Sequence, residues 1–332
     1  MTTKTIVGID VSKLTLDIFC LQNNQHIQIE NNDKGFKVFN KWLKQVKLTL
    51  AQLHVVFEHT GMYSLLLEDW LAGKQVTYSV VAALQIKKSL GIVRGKTDHI
   101  DAQRIAEYAV KNKNKLPNPL PSPDRQCIQR LQSLSNYKDK LVVQRAGFLA
   151  VIEDTKFFKQ LAERDILIKS HRQMIAFLTG QIEIIEKEIT VVMQSQPTFN
   201  SNYKLLQTIT GIGKQTALEV IILTGNFSKF ENARLFASFC GTAPFPYISG
   251  TSIKGKAKVS HLANKKMKSL LFMAAQSAIN HDPELKAYYN KRVKMGKNKM
   301  STINIIKNKL IGRMFAVIVR QTPFVKLNQF AA

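Results

Sequence analysis

From Pro117 to Pro123 every second residue is a proline: Pro117, Pro119, Pro121 and Pro123. Each lacks a backbone N–H and has its φ locked, so neither a helix interior nor a sheet ladder can run through the stretch. The segment 113–125 therefore predicts an extended, semi-rigid linker, and the chain must fold as separate parts on either side of it. A length of 332 residues leaves room for two or three such parts, each with its own core. The predicted division is an α/β domain over 1–112, the linker 113–125, a helical region over 126–196 and a mainly helical domain over 197–332.

The first part reads β-β-β-α-β-α-β-α-α. Residues 4–11 and 14–21 form short apolar strands, and 26–30 a third after the Asn23-Asn24 turn. Residues 33–46 place Phe36, Phe39, Trp42 and Leu43 at helical spacing. Residues 53–57 are a buried-type strand, 62–71 a helix, 76–81 a strand and 84–90 a helix. A last helix, to about Asn112, carries Ile100, Ile105, Ala106 and Ala109 on its apolar side. This is the ribonuclease-H-like layout, a mixed sheet with helices on its faces.

Four acids occupy unusual places in that layout. Asp10 interrupts an apolar strand, where a carboxylate is expensive unless paired or metal-bound. Glu58 follows directly on the 53–57 strand, near Gly61, which would let the backbone approach closely. Asp98 and Asp101 are three apart, so they share a helix face and repel. Helix-dipole placement explains that pair alone, and helix capping would explain Glu58 alone. Together the four would converge at one edge of the sheet, where they can hold two divalent ions about 4 Å apart for phosphoryl transfer. Mg²⁺ is the expected ion and Mn²⁺ a possible substitute, since hard cations prefer carboxylate oxygens. Asp17 reads as an ordinary solvent-facing residue of the second strand. Cys20, Cys127 and Cys240 are far apart and the histidines do not cluster, which argues against zinc and against a disulfide framework.

Downstream of the linker, 126–194 contains no proline. Leu131, Leu134, Leu141 and Phe148, then Ile175, Leu178, Ile182, Ile185 and Ile189, recur mostly at threes, fours and sevens. That predicts two or more long helices, a helical hairpin or coiled coil, acting as a spacer or an oligomerisation element. Lys138, Lys140 and Arg145 could touch nucleic acid or merely solvate a face. Gly211-Ile212-Gly213, followed by Lys214, resembles a helix-hairpin-helix, a tight glycine turn whose free amides can meet a phosphate.

Charge narrows the partner. The formal net charge is +25. From Lys229 onward, 19 lysines and arginines stand against three acids, so +16 lies in the last third of the chain. Such an asymmetry implies a polyanion-binding face with strongly salt-dependent affinity, and nucleic acid is the first candidate. Lys96, Lys265, Lys266 and Lys268 join Gly211, Gly213 and Lys214 as candidate contacts. No apolar run is long enough to span a bilayer and no signal segment is evident, so a cytoplasmic protein without membrane contact is expected. The stretch from Gly241 to Lys256 has two prolines and three glycines and reads as a loop. Ser249 precedes Gly250, with Lys254, Lys256 and Lys258 close by. A nucleophile there would meet a phosphate unobstructed, although a loop that only grips phosphate is the simpler reading of any one serine.

Gly8-Ile9-Asp10-Val11-Ser12-Lys13, Glu58 before Thr60-Gly61-Met62-Tyr63, and Lys96-Thr97-Asp98 with Asp101-Ala102 form one set of motifs. Gly211-Ile212-Gly213, Phe236-Ala237-Ser238-Phe239 with Gly241-Thr242-Ala243-Pro244, and Tyr247-Ile248-Ser249-Gly250 form another. In this order, over nearly the whole length, the chain resembles the transposases of the insertion sequence 110 family, DNA recombinases of bacterial mobile elements. The resemblance implies a RuvC-like domain whose Asp10, Glu58, Asp98 and Asp101 tetrad binds Mg²⁺. It also implies a C-terminal serine, matched by Ser249, that forms a covalent phosphoserine link to DNA. Ser252 is the nearest competitor, because Thr251-Ser252-Ile253 stands where a more glycine-rich run is expected; Ser260 is a weaker match. Partners implied are DNA at element ends and target, a structured guide (bridge) RNA, and further copies of the chain as a dimer or tetramer.

Two rivals share these features. In a metal-dependent nuclease or Holliday junction resolvase, water would attack and the Ser249 loop would only hold DNA. In a binding protein with a degenerate site, no metal-dependent cleavage would occur at all.

Overall fold

The proline run is where the chain divides. The computed structural model describes residues 4–89, 97–117, 122–155, 166–249, 253–260 and 262–325, with the backbone path alone at 122–123, 155, 246–249, 253–254 and 256–258. They form two units, Met1–Ser122 and Pro123–Ala332.

The first unit contains β1 (Thr5–Val11), β2 (Thr15–Cys20), β3 (Gln25–Glu30), α1 (Asp33–Gln45), β4 (Leu53–Glu58), α2 (Leu65–Gly73), β5 (Thr77–Val81), α3 (Ala83–Ser89) and α4 (Asp98–Lys111). The strands make one mixed sheet in the order β3-β2-β1-β4-β5. β1 pairs antiparallel with β2 and β2 with β3, whereas β1–β4 and β4–β5 are parallel. This arrangement is compatible with a ribonuclease-H-like α/β domain.

Alternation along β1 sorts its side chains between two cores. Val7, Ile9 and Val11 face Phe36, Phe39, Trp42 and Leu43 of α1 and Leu67 and Leu71 of α2. Ile6 faces the other way, into a core with Phe19, Val56 and the Ala102, Ile105, Ala106 and Ala109 face of α4. Gly8 lies on that side too, and Asp10 follows it by the same alternation. Each large apolar chain so buried stabilises the fold by about 1.5–3 kcal/mol. The expectation that Gly61 serves close backbone approach needs correction. A Cβ there would meet nothing within 4 Å, and its φ of +70° is the reason for glycine.

The second unit opens with α5 (Ser122–Thr155). The linker is thus shorter than 113–125: Lys113–Lys115 makes a 3-10 turn, and Pro123 sits in the first turn of α5, where a missing N–H is no loss. α6 (Ile166–Gln194) runs antiparallel to α5. Arg130 pairs with Glu188, Lys138 with Glu186, and Phe148 stacks edge-on to His171. Leu141, Leu178 and Ile182 form a small core between the two helices.

The chain continues through α7 (Pro197–Gln207), α8 (Lys214–Thr224), α9 (Ala233–Phe239), β6 (Pro244–Ser249), β7 (Ile253–Val259), α10 (Lys265–His281), α11 (Pro283–Lys294) and α12 (Lys299–Arg320). Asn232, Asn264, Asp282 and Asn298 cap α9 to α12, each side chain accepting from an amide three residues on. The stretch expected as a loop is instead a β-hairpin, β6–β7, with Ser249 opposite Ile253 at its far end. A two-stranded ribbon has only edge strands, which tolerate Pro244 and Pro246, and the register shifts between Phe245 and Tyr247, around Pro246. Among the described residues no helix is long and apolar enough to cross a membrane.

Candidate active site

The first unit brings acids from three elements together. Asp10 is the sixth residue of β1; its neighbour across the antiparallel pair is Asp17. Glu58 ends β4, whose Phe57 pairs with Ile9 in parallel register. Asp98 and Asp101 occupy the first turn of α4, which Thr97 caps by accepting from the Ile100 amide at 3.3 Å. α4 can lie on the sheet because Gly8 has no side chain: a Cβ there would stand 2.3 Å from the Ala102 oxygen and 2.5 Å from the Ala106 nitrogen.

The electrostatics register this convergence. Burial, and then the charges of Glu58, Asp101, Asp98 and Asp17, push the Asp10 carboxyl up from 3.8 to about 6. The four predicted acids therefore share one field. They do not share one coordination sphere: among the described residues no three His, Cys, Asp or Glu side chains are grouped to hold an ion. Asp101 instead accepts from Arg104 Nη1 at 2.9 Å. The donor chemistry still fits a hard divalent cation, because the set is all carboxylate oxygen and the charges of the others bear on the half-buried Asp10.

Asp17 is not solvent-facing. It is 4 % exposed and accepts from His26 Nε2 at 2.9 Å and Gln28 Nε2 at 3.0 Å. His26 in turn meets His99 edge-on at 4.5 Å between ring centroids, and Phe19 meets His99 at 5.6 Å. The sequence carries a signal for this group that the linear reading missed. Asp17 lies opposite Asp10 and Gln28 opposite Asp17, so all three share a face of the sheet.

In the second unit, Gly211-Ile212-Gly213 does join two helices, α7 and α8. Gly211 has φ +94°, and a Cβ on it would stand 2.5 Å from the Ala274 oxygen of α10, so packing demands this glycine. Gly213 is the N-cap of α8 and is exposed, as is Lys214. Lys265 is exposed at the start of α10. Lys266 is engaged within the unit, 2.7 Å from Asp139 and 2.6 Å from Glu219, and donates to Ser135. Lys254, Lys256 and Lys258 alternate along β7. Ser260 accepts from the Leu262 amide. Lys96 and Ser252 lie outside the described residues.

The base of the Ser249 hairpin is held from two sides. Asn304 and Asn308 of α12 both donate to the Thr242 carbonyl, at 2.7 and 2.9 Å, and the Thr242 hydroxyl donates to Asn308 Oδ1 at 2.7 Å. Gly241, at φ +65°, leaves room for Ala263, whose Cβ would otherwise be 2.3 Å away. In the sequence Gly241 and Thr242 stand out only as part of a motif, and Asn304 and Asn308 not at all.

Residues 7–155 match a family described as Transposase, the DEDD type of IS110, and residues 203–290 match the Transposase IS116/IS110/IS902 family. The chain is 30 % identical over 330 residues to the pilin gene-inverting proteins of Moraxella bovis and Moraxella lacunata, covering 97 % of this chain and 98 % of each relative. It is also 26 % identical over 171 residues to the insertion element IS110 43.6 kDa protein of Streptomyces coelicolor, covering 52 % of this chain and 41 % of that one. A DEDD-type membership suggests use of a divalent metal. With acids converging in the first unit and relatives matching along both, the chain belongs to the IS110 family of transposases and is a DNA recombinase.

Proposed function

We propose that this recombinase cuts and rejoins DNA through a phosphoserine intermediate at Ser249, assisted by Mg²⁺ at Asp10, Glu58, Asp98 and Asp101. The observation that carries the reading is the Asp10 carboxyl, raised to about 6 by burial and by acids from β4 and α4. A concentration of carboxylate charge from separate elements suits a divalent cation. The ion, when bound, neutralises charge on the pentacoordinate phosphate and makes a nearby hydroxyl more acidic.

The chain's own residues do the remaining work. The Ser249 oxygen bonds to phosphorus as one deoxyribose oxygen leaves; the serine proton is lost to a carboxylate or to water, and the leaving oxygen takes one up. One ester replaces another, so a second strand's hydroxyl can reverse the step and join new ends. Lys254, next to the hairpin end, and Lys256 and Lys258, farther along β7, bind non-bridging phosphate oxygens.

The acids and the serine belong to different units, and we assign the working site to an oligomer. Phe177, Ile184 and Val191 of α6 support this: they are exposed at strict seven-residue spacing, as a helix that meets a second copy requires. An element-encoded structured RNA is the proposed guide, accommodated by the +16 of the last third of the chain. Strand exchange between two inverted sites on one molecule would invert the DNA between them. The full-length likeness to pilin gene-inverting proteins supports inversion as an outcome alongside insertion.

The test is labelled junction DNA incubated with protein, Mg²⁺ and the flanking transcript, then resolved on a denaturing gel. A protease-sensitive adduct in wild type and none with Ser249→Ala supports the reading. Free cleaved ends in both samples would make the protein a hydrolytic nuclease of RuvC type.

A further inference from the structure

The first turn of α10 carries Lys265, Lys266 and Lys268 and no acid, the reverse of what a helix dipole favours. Lys266 has its counter-charges in Asp139 and Glu219. Among the described residues Lys268 has no acidic partner. α12 packs against α10 and brings a further cation to this place. Lys307 is 6 % exposed, and its ammonium stands over the Phe272 ring, 5.1 Å from the centroid. No carboxylate faces it among the described residues; burial, and then the Lys268 charge, push its pKa down. Asn304 and Asn308, the polar neighbours on its own helix, are both committed to Thr242.

A buried amine is ordinarily paired, because desolvating it without compensation is strongly unfavourable. Here one without a carboxylate partner lies over Phe272, the eighth residue of α10, one helical turn beyond a second cation, Lys268. We propose that Lys307 and Lys268, on either side of Phe272, form a seat for one phosphate of a nucleic-acid backbone. The Phe272 face steadies the Lys307 ammonium, and the two lysines supply the charge that a phosphate oxygen meets. The proposal rests on nucleic acid being the partner of this domain, and on neither Ser249 nor the metal.

The test uses the full chain with Lys307→Met, Lys307→Arg and Lys268→Gln. Affinity for a DNA duplex and for an RNA duplex is measured against salt concentration, and melting temperature is measured with and without inorganic phosphate. Losing one phosphate contact should flatten the slope of log affinity against log salt by about 0.9, a loss of about eightfold near 0.1 M salt. Lys307→Met should show that loss while melting no lower, because it removes a cation that no carboxylate compensates. Lys307→Arg should restore the slope, and Lys268→Gln, away from the core, should flatten it similarly. An unchanged slope in Lys307→Met or in Lys268→Gln overturns the seat alone. A wild type that binds neither duplex overturns the seat and the nucleic-acid reading together. Inorganic phosphate that raises the wild-type melting temperature equally with duplex bound would make this a free-phosphate site, and would overturn the backbone assignment.

Discussion

Gly8 of β1 and Ala102 of α4 touch backbone to backbone: a Cβ on Gly8 would stand 2.3 Å from the Ala102 carbonyl oxygen. The helix that carries Asp98 and Asp101 is seated over Asp10 by this one missing methyl. Gly8→Ala must push α4 off the sheet, and overpacking of that kind costs about 1–3 kcal/mol. The expected outcome is a melting temperature lower by several degrees together with loss of metal-dependent cleavage. Unaltered melting would show that α4 does not rest on β1 as described.

The Asp10 carboxyl sets a pH dependence. Its folded pKa of about 6 lies above the ordinary 3.8, so the folded state holds this proton more tightly than the unfolded chain does. The stabilisation is fully present below about pH 3.8 and is lost as pH rises through about 6. Thermal melts of wild type without divalent ion should fall across that window relative to Asp10→Asn, which removes the titration. Above pH 6, Mg²⁺ should raise the wild-type melting temperature and leave that of Asp10→Asn little changed. Parallel curves for the two proteins would remove Asp10 from the acidic cluster.

The Thr242 mount predicts a separation of binding from chemistry. Thr242→Val keeps the shape but deprives Asn308 Oδ1 of its 2.7 Å donor. Leaving that acceptor unsatisfied costs about 1–3 kcal/mol. Adduct formation should slow several-fold while duplex affinity holds, and Thr242→Ser should recover the rate. If affinity and adduct rate fell together, the clamp would be supporting the domain as a whole rather than aiming the hairpin.

A charge on the exposed α6 stripe tests assembly. Phe177 is 59 % exposed and Ile184 56 %, so Phe177→Glu and Ile184→Glu should leave the fold stable while breaking self-association. Sedimentation should report a smaller species and strand exchange should fall at least tenfold. A wild type that sediments as a monomer under reaction conditions would sink the oligomer assignment.

Much of the first unit was legible because each element there has its own local period. The β1 run, the Phe36-Phe39-Trp42-Leu43 face and the small-residue face of α4 announce themselves within a turn or two. Asp10 and Glu58 stood out by the same logic, as acids in or directly beside apolar strands. Asp17 shows the limit. Alternation gives the face of a strand and says nothing of what covers it, and here His26 and Gln28 hold Asp17, with His99 against His26. The hairpin was misread as a loop because its prolines argue against a strand unless both strands are known to be edges.

The sequence by itself determined the order of elements, the break at the prolines, the four acids and the concentration of cations near the C-terminus. Tertiary structure alone decided the strand order β3-β2-β1-β4-β5, which sets Glu58 beside Asp10 across about fifty intervening residues. It also decided the Gly8–Ala102 contact, the Thr242 mount and the burial of Lys307. Each of these is a meeting between residues far apart in the chain. Local periodicity encodes which face a residue lies on, and only closure of the fold selects the partner that face meets.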